Sequence, residues 1–295
     1  MYFAKSNLMV INLLTNPVEA EKRSWQMLIL GILFASIGVL LSLFIWKDQS
    51  SLIMVFITVL AAVPITYNTM KLEERKDEYI EQEPKLLREH IKALSVFMYM
   101  FFGVTIAYVL WYFLLPQDLA SLLFKQQSIT LNIINGKIAS LTITGQMSSF
   151  KFFTKIFLNN IKVLALCILF SFLYGIGALF ILIWNASVLA VAIGGFVSEN
   201  IANISVVSFF HYIWYSLVSI VKYITHGFFE ILAYFIAALA GGIISIGIVQ
   251  RKFSSKSFER VTFDALELIG IALLILLFAA LLEVYVSPLL LSNIP

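Results

Sequence analysis

The stretch YITHGFFEILAYFIAALAGGIIS, residues 223–245, decides the fold because it is apolar enough to cross a bilayer yet carries two ionisable side chains. His226 and Glu230 are four residues apart, so a helix places both on one face. The same face continues with small residues, namely Ala233, Ala237 and Gly241. Small residues at this spacing let a neighbouring helix approach closely. We therefore expect this face to point towards protein and away from lipid.

The composition of the whole chain indicates an integral membrane protein. Hydrophobic residues make up 61% of its 295 residues and charged residues only 13%, about half the charged share of soluble domains. The net charge of +3 gives no support for binding nucleic acid. Cys167 is the only cysteine, which excludes a disulfide framework. The first 24 residues show no cleavage or lipidation pattern, so we expect no cleaved signal.

Six to seven apolar segments are long enough to span a bilayer, which takes about 17–25 residues. They cover 27–46, 51–69, 94–115, 161–184, 203–224, 227–249 and, as the seventh, 266–287. The apolar segment 186–197 is too short to span and is predicted to be a re-entrant or interfacial helix. The predicted fold class is therefore an all-α polytopic membrane protein.

A small external β-hairpin is predicted between the third and fourth spans. Two β-branched runs flank Asn135-Gly136, a pair that suits a type I′ turn. One face of the first strand would carry Ile129, Leu131 and Ile133. Since a lone hairpin is marginal in water, we expect it to cover the helices or to contact a partner.

Lysine and arginine predict the orientation of the spans. They concentrate in 70–93 and 250–265 and at Lys22 and Arg23, which places these parts in the cytoplasm. The chain is then a multi-pass protein of the cell membrane with a cytoplasmic N-terminus. The charged run 70–93 is expected to form a helix broken near Pro84, either as a solvated connector or as a docking surface.

Three regions follow from this topology. The predicted N-terminal region, 1–115, holds three spans and the cytoplasmic charged helix. The predicted external loop, 116–155, holds the hairpin. The remaining residues, 156–295, form a C-terminal membrane domain.

Polar residues on three spans are predicted to meet at one level of the membrane, in the outer leaflet. They are Asn160, His226, Glu230 and Glu283. An ionised carboxylate in hydrocarbon costs several kcal/mol unless it has a partner. Three interpretations stay open: a hydrogen-bonded clamp between helices, an ion, proton or substrate site, and a metal site on His226, Glu230 and Glu283. No His-Glu-x-x-His motif occurs, so a zinc hydrolase has no direct support.

A second set of residues is expected to support close helix packing. It consists of Ser171, Gly175, Gly227, Ala233, Ala237 and Gly241.

Three motifs, in order along the chain, resemble one family. FFTKIFLNNIKVLALCILFSFLYGIGALFILIWNASVLAVAIGGF at 152–196 resembles its aromatic, Asn-Ile and Gly-x-Gly signature. HGFFEILAYFIAALAG at 226–241 is similar to its His-Gly-x-x-Glu helix. LLEVYVSPLL at 281–290 resembles its terminal Glu and Ser/Thr-Pro motif. The family is the stage II sporulation protein M family, in the version common in archaea and many non-sporulating bacteria.

The resemblance implies a function without catalysis. Sporulation members of the family look like membrane scaffolds that gather cell-wall hydrolases during engulfment, and they are not known as enzymes. We therefore expect a scaffold or membrane-remodelling component without a cofactor. Its expected partners are the lipid bilayer and either further copies of itself or other membrane proteins, and not nucleic acid. The alternatives are a transporter or channel with an ion or proton site at His226, Glu230 and Glu283 and, third, an intramembrane metal enzyme.

Overall fold

The computed structural model describes residues 16–80, 82–133, 149–174, 176–202, 204, 208–249 and 256–287. Every regular element within these ranges is helical, and they contain no strand. In chain order the helices are α1 (Pro17–Lys22), α2 (Gln26–Ile45), α3 (Ser50–Tyr79), α4 (Glu83–Leu114), α5 (Gln117–Leu123), α6 (125–133), α7 (Ser149–Tyr174), α8 (Ala178–Ile201), α9 (Phe209–Val249) and α10 (Lys256–Leu281). A short 3₁₀ turn, Lys47–Gln49, precedes α3, and a π-helical turn, Leu282–Val286, follows α10.

Seven of the described helices are long and apolar enough to cross a membrane: α2, α3, α4, α7, α8, α9 and α10. The prediction of a multi-pass, all-α membrane protein is therefore confirmed. Two of the predicted boundaries are wrong, however. They are the end of the predicted fourth span, 161–184, and the division between the predicted fifth and sixth spans.

The segment 186–197 is not a re-entrant or interfacial helix. It lies inside α8, which runs continuously for 24 residues from Ala178 to Ile201. The predicted fourth span, 161–184, is instead divided between α7 and α8. A Cβ atom at Gly177 would collide with the backbone carbonyl of Phe170, so the chain passes close to itself at this division. The apolar residues from 178 onwards therefore belong with 186–197 and make a full-length span.

The predicted fifth and sixth spans, 203–224 and 227–249, lie almost entirely within a single helix. Helix α9 has 41 residues and no break near Thr225, His226 and Gly227. The hydroxyl of Thr225 donates to the carbonyl of Val221 within the helix. Polar side chains at this point therefore do not mark the end of a helix.

The predicted β-hairpin is not supported. Ile129, Leu131 and Ile133 lie in helix α6, while Asn135-Gly136 and the second β-branched run fall outside the described residues. The buried Gln127 holds α6 against the start of α3: Ser51 Oγ donates to its Oε1 at 2.7 Å, and its Nε2 donates to the Ser51 carbonyl at 3.1 Å. Local β-propensity favoured a strand after Gln127, but residues 128–133 continue the helix that this pairing holds against α3.

The core surrounds α9, which packs against α3, α4, α7, α8 and α10. Phe235 of α9 lies between two rings of α4, with centroids 5.9 Å from Phe97 and 5.9 Å from Phe101. Helices α2 and α4 approach so closely that a Cβ at Gly31 would overlap the Met100 carbonyl, and one at Gly103 would overlap that of Leu28. The charged run breaks near Pro84, as predicted, because α3 ends at Tyr79 and α4 begins at Glu83.

Candidate functional site

Helices α7, α9 and α10 bring a set of polar side chains together, which we call the Glu230 cluster: Asn160, His226, Glu230, Glu283 and Ser287. Asn160 Nδ2 donates a hydrogen bond to Oε1 of Glu230. The carboxyl groups of Glu230 and Glu283 lie close enough to interact with each other. One turn before Glu230, His226 Nδ1 lies 3.3 Å from Ser287 Oγ. All four residues named from the sequence therefore lie in one cluster, with Ser287 as an additional member.

The position of this cluster along its helices differs from the prediction. Glu230 was expected near the start of a span, but 21 residues of α9 precede it and 19 follow it. Glu283 lies in the π-helical turn that extends α10. A π-turn displaces side chains relative to a regular α-helix and often occurs at functional sites.

The partners of each group define what the cluster can do chemically. A hydrogen bond between two carboxyl groups requires a proton on one of them, because an ionised carboxylate can only accept. Asn160 supplies an amide donor and is only 8% exposed, whereas Glu230 and Glu283 are half-buried. The arrangement can therefore hold a shared proton, and it also ties three helices together.

The small residues of α9 lie against α7. A Cβ at Gly241 would lie 2.7 Å from the carbonyl oxygen of Ile168 and 3.0 Å from Cβ of Ser171. Ser171, Ala233 and Ala237 are completely buried. Gly227 differs, because no atom lies within 4 Å of the place its Cβ would occupy. Contrary to expectation, Gly227 is therefore not at a close helix contact, and Gly175 lies outside the described residues.

A second set of polar side chains, which the sequence reasoning missed, lies where α3 and α4 meet. We call it the acid–histidine cluster: Glu21, Glu73, Lys76, Asp77, Glu89 and His90. The imidazole of His90 lies between two carboxylates, with Nδ1 2.7 Å from Glu73 Oε2 and Nε2 3.2 Å from Asp77 Oδ1. Glu73 and Asp77 are fully buried, and His90 is 2% exposed.

Lys76 joins three helices through this cluster. Its ammonium lies 2.7 Å from Glu73, 2.8 Å from Glu21 of α1 and 3.1 Å from Glu89 of α4. Burial raises the pKa of Glu21 to about 7, while the hydrogen bond from Lys76 acts in the opposite direction. The charged run 70–93 is thus not simply a solvated connector.

A spacing signal for the acid–histidine cluster is present in the sequence. Glu73 and Asp77 are four residues apart and so share one face of α3. The break near Pro84 reverses the chain, which brings α4 back alongside α3. The sequence could therefore have been used to predict that the acidic pair of α3 meets the histidine of α4.

A cavity of about 270 Å³ lies beside His90, between the start of α4 and α10. Its lining consists of Pro84, Leu86, Leu87, His90, Asp264, Glu267, Leu268 and Ile271. No residue of the Glu230 cluster lines this cavity. Within the described ranges, no group of three or more His, Cys, Asp or Glu side chains is arranged to hold a metal ion.

The family model described as Stage II sporulation protein M matches residues 51–288. This range includes all of the Glu230 cluster and every member of the acid–histidine cluster except Glu21. Neither the curated proteins nor the solved structures yielded a match.

Proposed function

The chain belongs to the stage II sporulation protein M family, and on that premise we propose that it is a non-enzymatic membrane scaffold that self-associates or recruits membrane proteins. The observation that carries the proposal is that both polar clusters bond between helices. Asn160, Glu230 and Glu283 connect α7, α9 and α10. Lys76 and His90 connect α1, α3 and α4.

A scaffold needs a fixed shape, and these contacts favour one. Close backbone contacts that leave no room for a side chain occur at Gly31 and Gly38 of α2, at Gly103 of α4 and at Gly241 of α9. Because close-packed interiors transmit strain and deform little, such a bundle can present partners at a constant spacing.

The test measures assembly and transport on the same material. Mass photometry gives the number of protein copies per lipid nanodisc. The same protein in liposomes is assayed for proton flux with an internal pH dye. We expect more than one copy per nanodisc, or a partner protein bound at a fixed stoichiometry. We also expect no proton flux above that of empty liposomes. A monomer that recruits no partner would contradict the scaffold.

A second candidate function is proton transfer through the Glu230 cluster. The specific observation in its favour is that two carboxyl groups, those of Glu230 and Glu283, lie next to each other within membrane-spanning helices. Ionisable residues in such helices often belong to proton relays. Flux in the wild type that is lost in Glu230→Gln, with folding unchanged, would establish this function in place of the scaffold.

We also propose that the N-terminus is cytoplasmic and that 116–155 is external, from the distribution of lysine and arginine. The single native Cys167 is buried, so it should not interfere with labelling. Lys125→Cys in α6 should react with a membrane-impermeant maleimide on intact cells. Lys22→Cys in α1 should react only after permeabilisation, and the reverse pattern would invert the topology.

A further inference from the structure

Helix α7 has a polar face that points away from the bundle. Its bundle side consists of buried residues such as Asn160 and Leu164. The opposite side begins with exposed polar residues at helical spacing, which we call the α7 polar face: Lys151, Lys155, Asn159 and Lys162. Exposed leucines continue the same side at the same spacing: Leu166, Leu169 and Leu173. The outward side of this span therefore changes from basic to apolar along its length.

The α7 polar face reaches the depth of apolar side chains on other helices. Lys162 is two residues, or about 3 Å, from Asn160, whose side chain donates to Glu230 of α9. Two residues before Glu230, Phe228 stacks on Phe102 of α4, with ring centroids 6.3 Å apart. Phe102 lies well inside the apolar part of α4. Lys162 is therefore at hydrocarbon depth in a bilayer that fits α4.

Helix α2 shows which side chains face outward at this depth elsewhere in the bundle. A Cβ at Gly103, next to Phe102, would overlap the Leu28 carbonyl, so this part of α2 lies at the same depth. Its outward side chains are Ile29 and Leu33, and both are exposed. Isoleucine and leucine suit contact with acyl chains, whereas lysine and asparagine do not. The two sides of the bundle therefore require different surroundings at one depth.

The lysines of α7 need a partner that the bundle does not supply. A lysine among acyl chains is costly, and charged groups in spans normally face protein or water. Among the described residues, no carboxylate pairs with Lys151 or Lys162. From Lys151 to Lys162 the helix rises by about 16 Å, which is about the hydrocarbon depth of one leaflet. Because helical side chains lean towards the N-terminus, both lysines lean towards the membrane surface at which α7 begins.

The charge of the α7 polar face identifies the chemistry of its partner. Three lysines and an amide, with no carboxylate among them, favour an anionic group. Anionic phospholipids are attracted by such basic segments, and they join a negative headgroup to hydrocarbon. This order matches an outward side that is basic at Lys162 and apolar from Leu166 onwards. The same face of a second copy would instead bring like charges together.

We propose that the α7 polar face binds the headgroups of anionic phospholipids, which descend along it with water to the depth of Lys162. The bilayer is then thinner beside α7 than beside α2. This contact with lipid does not depend on self-association, so it goes beyond the scaffold proposed above.

The first test measures access of water to the α7 polar face through cysteine reactivity in liposomes. Leu158 is exposed beside this face, and Leu33 is the matched exposed position on α2. The native Cys167 is buried. A charged methanethiosulfonate, supplied on both sides of the membrane, should label Leu158→Cys roughly tenfold faster than Leu33→Cys, because only a thiolate reacts and hydrocarbon keeps a thiol protonated. Equal rates at the two positions would overturn the proposal.

Lys162→Leu tests whether the lysines cause this access. Combined with Leu158→Cys, it should lower the labelling rate several-fold, because acyl chains can then cover the deepest part of the face. Lys125→Leu, at an exposed lysine of α6, is the matched control and should leave the rate unchanged. Both lysines are exposed, so both variants should fold, which their thermal unfolding midpoints verify. Labelling that is insensitive to Lys162→Leu would also overturn the proposal.

Native mass spectrometry identifies the lipid. Protein from nanodiscs with equal parts of phosphatidylglycerol and phosphatidylcholine should retain mainly phosphatidylglycerol, and Lys151→Gln combined with Lys162→Gln should retain less of it. Rapid labelling of Leu158→Cys without this preference would indicate water alone and would overturn the assignment to headgroups.

The number of copies per nanodisc separates this proposal from the scaffold. Slow labelling of Leu158→Cys in particles with several copies would mean that protein covers the α7 polar face. That outcome would overturn the lipid contact and leave the scaffold in place. Rapid labelling with retained phosphatidylglycerol in a monomer would support the lipid contact and contradict self-association.

Discussion

The acid–histidine cluster and the Glu230 cluster both bury carboxyl groups, but they neutralise them differently. At the junction of α3 and α4, Lys76 and His90 provide cationic partners for Glu73 and Asp77. In the middle of α9, Glu230 has an amide and a second carboxyl group as partners. The first arrangement depends on opposite charges, whereas the second depends on an amide donor and on two neighbouring carboxyl groups, which can share a proton. Loss of a partner should therefore be far more costly in the first cluster than in the second.

The largest effect is expected from His90→Ala. It leaves Glu73 and Asp77 buried without their shared partner, and breaking a buried ion pair costs about 3–5 kcal/mol. The free energy of unfolding in detergent micelles measures this loss. His211→Ala is the control, because His211 bonds only to the nearby Ser208 in the described contacts. A loss below about 1 kcal/mol would show that the two carboxylates do not need the imidazole.

Gly241→Leu tests what holds the Glu230 cluster together. A leucine side chain would press against the Ile168 carbonyl and Ser171, and overpacking of this kind costs about 1–3 kcal/mol. It should also move α7 away, so that Asn160 no longer reaches Glu230. Gly227→Leu meets open space and should cost little. Equal losses in the two variants would mean that the contact between α7 and α9 does not carry the stability.

One substitution made in both clusters sharpens the comparison. Glu73→Gln removes a charge that pairs with Lys76 and His90, and hydrogen bonds to charged groups contribute about 1.5–3 kcal/mol. Glu230→Gln replaces a group that can already be neutral, so a loss of about 1 kcal/mol or less is expected. The difference between the two unfolding free energies is the measurement. Similar values would indicate that Glu230 is ionised in the folded protein.

The smallest effect is expected at the rim of the acid–histidine cluster. Lys92 pairs with Glu89 across one helical turn, and its side chain is about half exposed. Exposed pairs of this kind contribute about 0–1 kcal/mol, so Lys92→Ala should change the unfolding free energy by less than His90→Ala does. Added salt should reduce the effect further. A large loss would mean that Lys92 supports the buried part of the cluster.

Sequence reasoning succeeded where a property depends on one helix at a time. The spans that became α2, α3 and α4 follow from runs of apolar residues, and the shared face of His226 and Glu230 follows from helical spacing. It failed where the outcome depends on a partner far along the chain. Hydropathy measures transfer into lipid, so polar residues near Thr225 were interpreted as a boundary although their helix continues. Gln127 is a similar case, because its partner Ser51 lies 76 residues away.

The acid–histidine cluster is another case in which the outcome depends on residues far apart in the chain. A charged run outside the apolar segments is usually solvated, and although the spacing of Glu73 and Asp77 places them on one face of a helix, it does not show that this face is buried. Their burial results from the packing of α1, α4 and α10 around the end of α3. The sequence predicts a break near Pro84, and the structure shows that the chain turns back there and brings His90 to these carboxylates.

The length of α9 has a consequence for the lipid around the protein. At 1.5 Å per residue, a straight helix of 41 residues is about 62 Å long, or about twice the hydrocarbon thickness of a bilayer. Such a rod either leans steeply or carries its first turns, with the exposed rings of Phe209 and Phe210, beyond the acyl chains. In a thicker bilayer it stands more upright, and in a thinner one it leans further. A change in bilayer thickness should therefore change the tilt of α9. Because α9 packs against five other helices, this tilt would also affect how those helices pack.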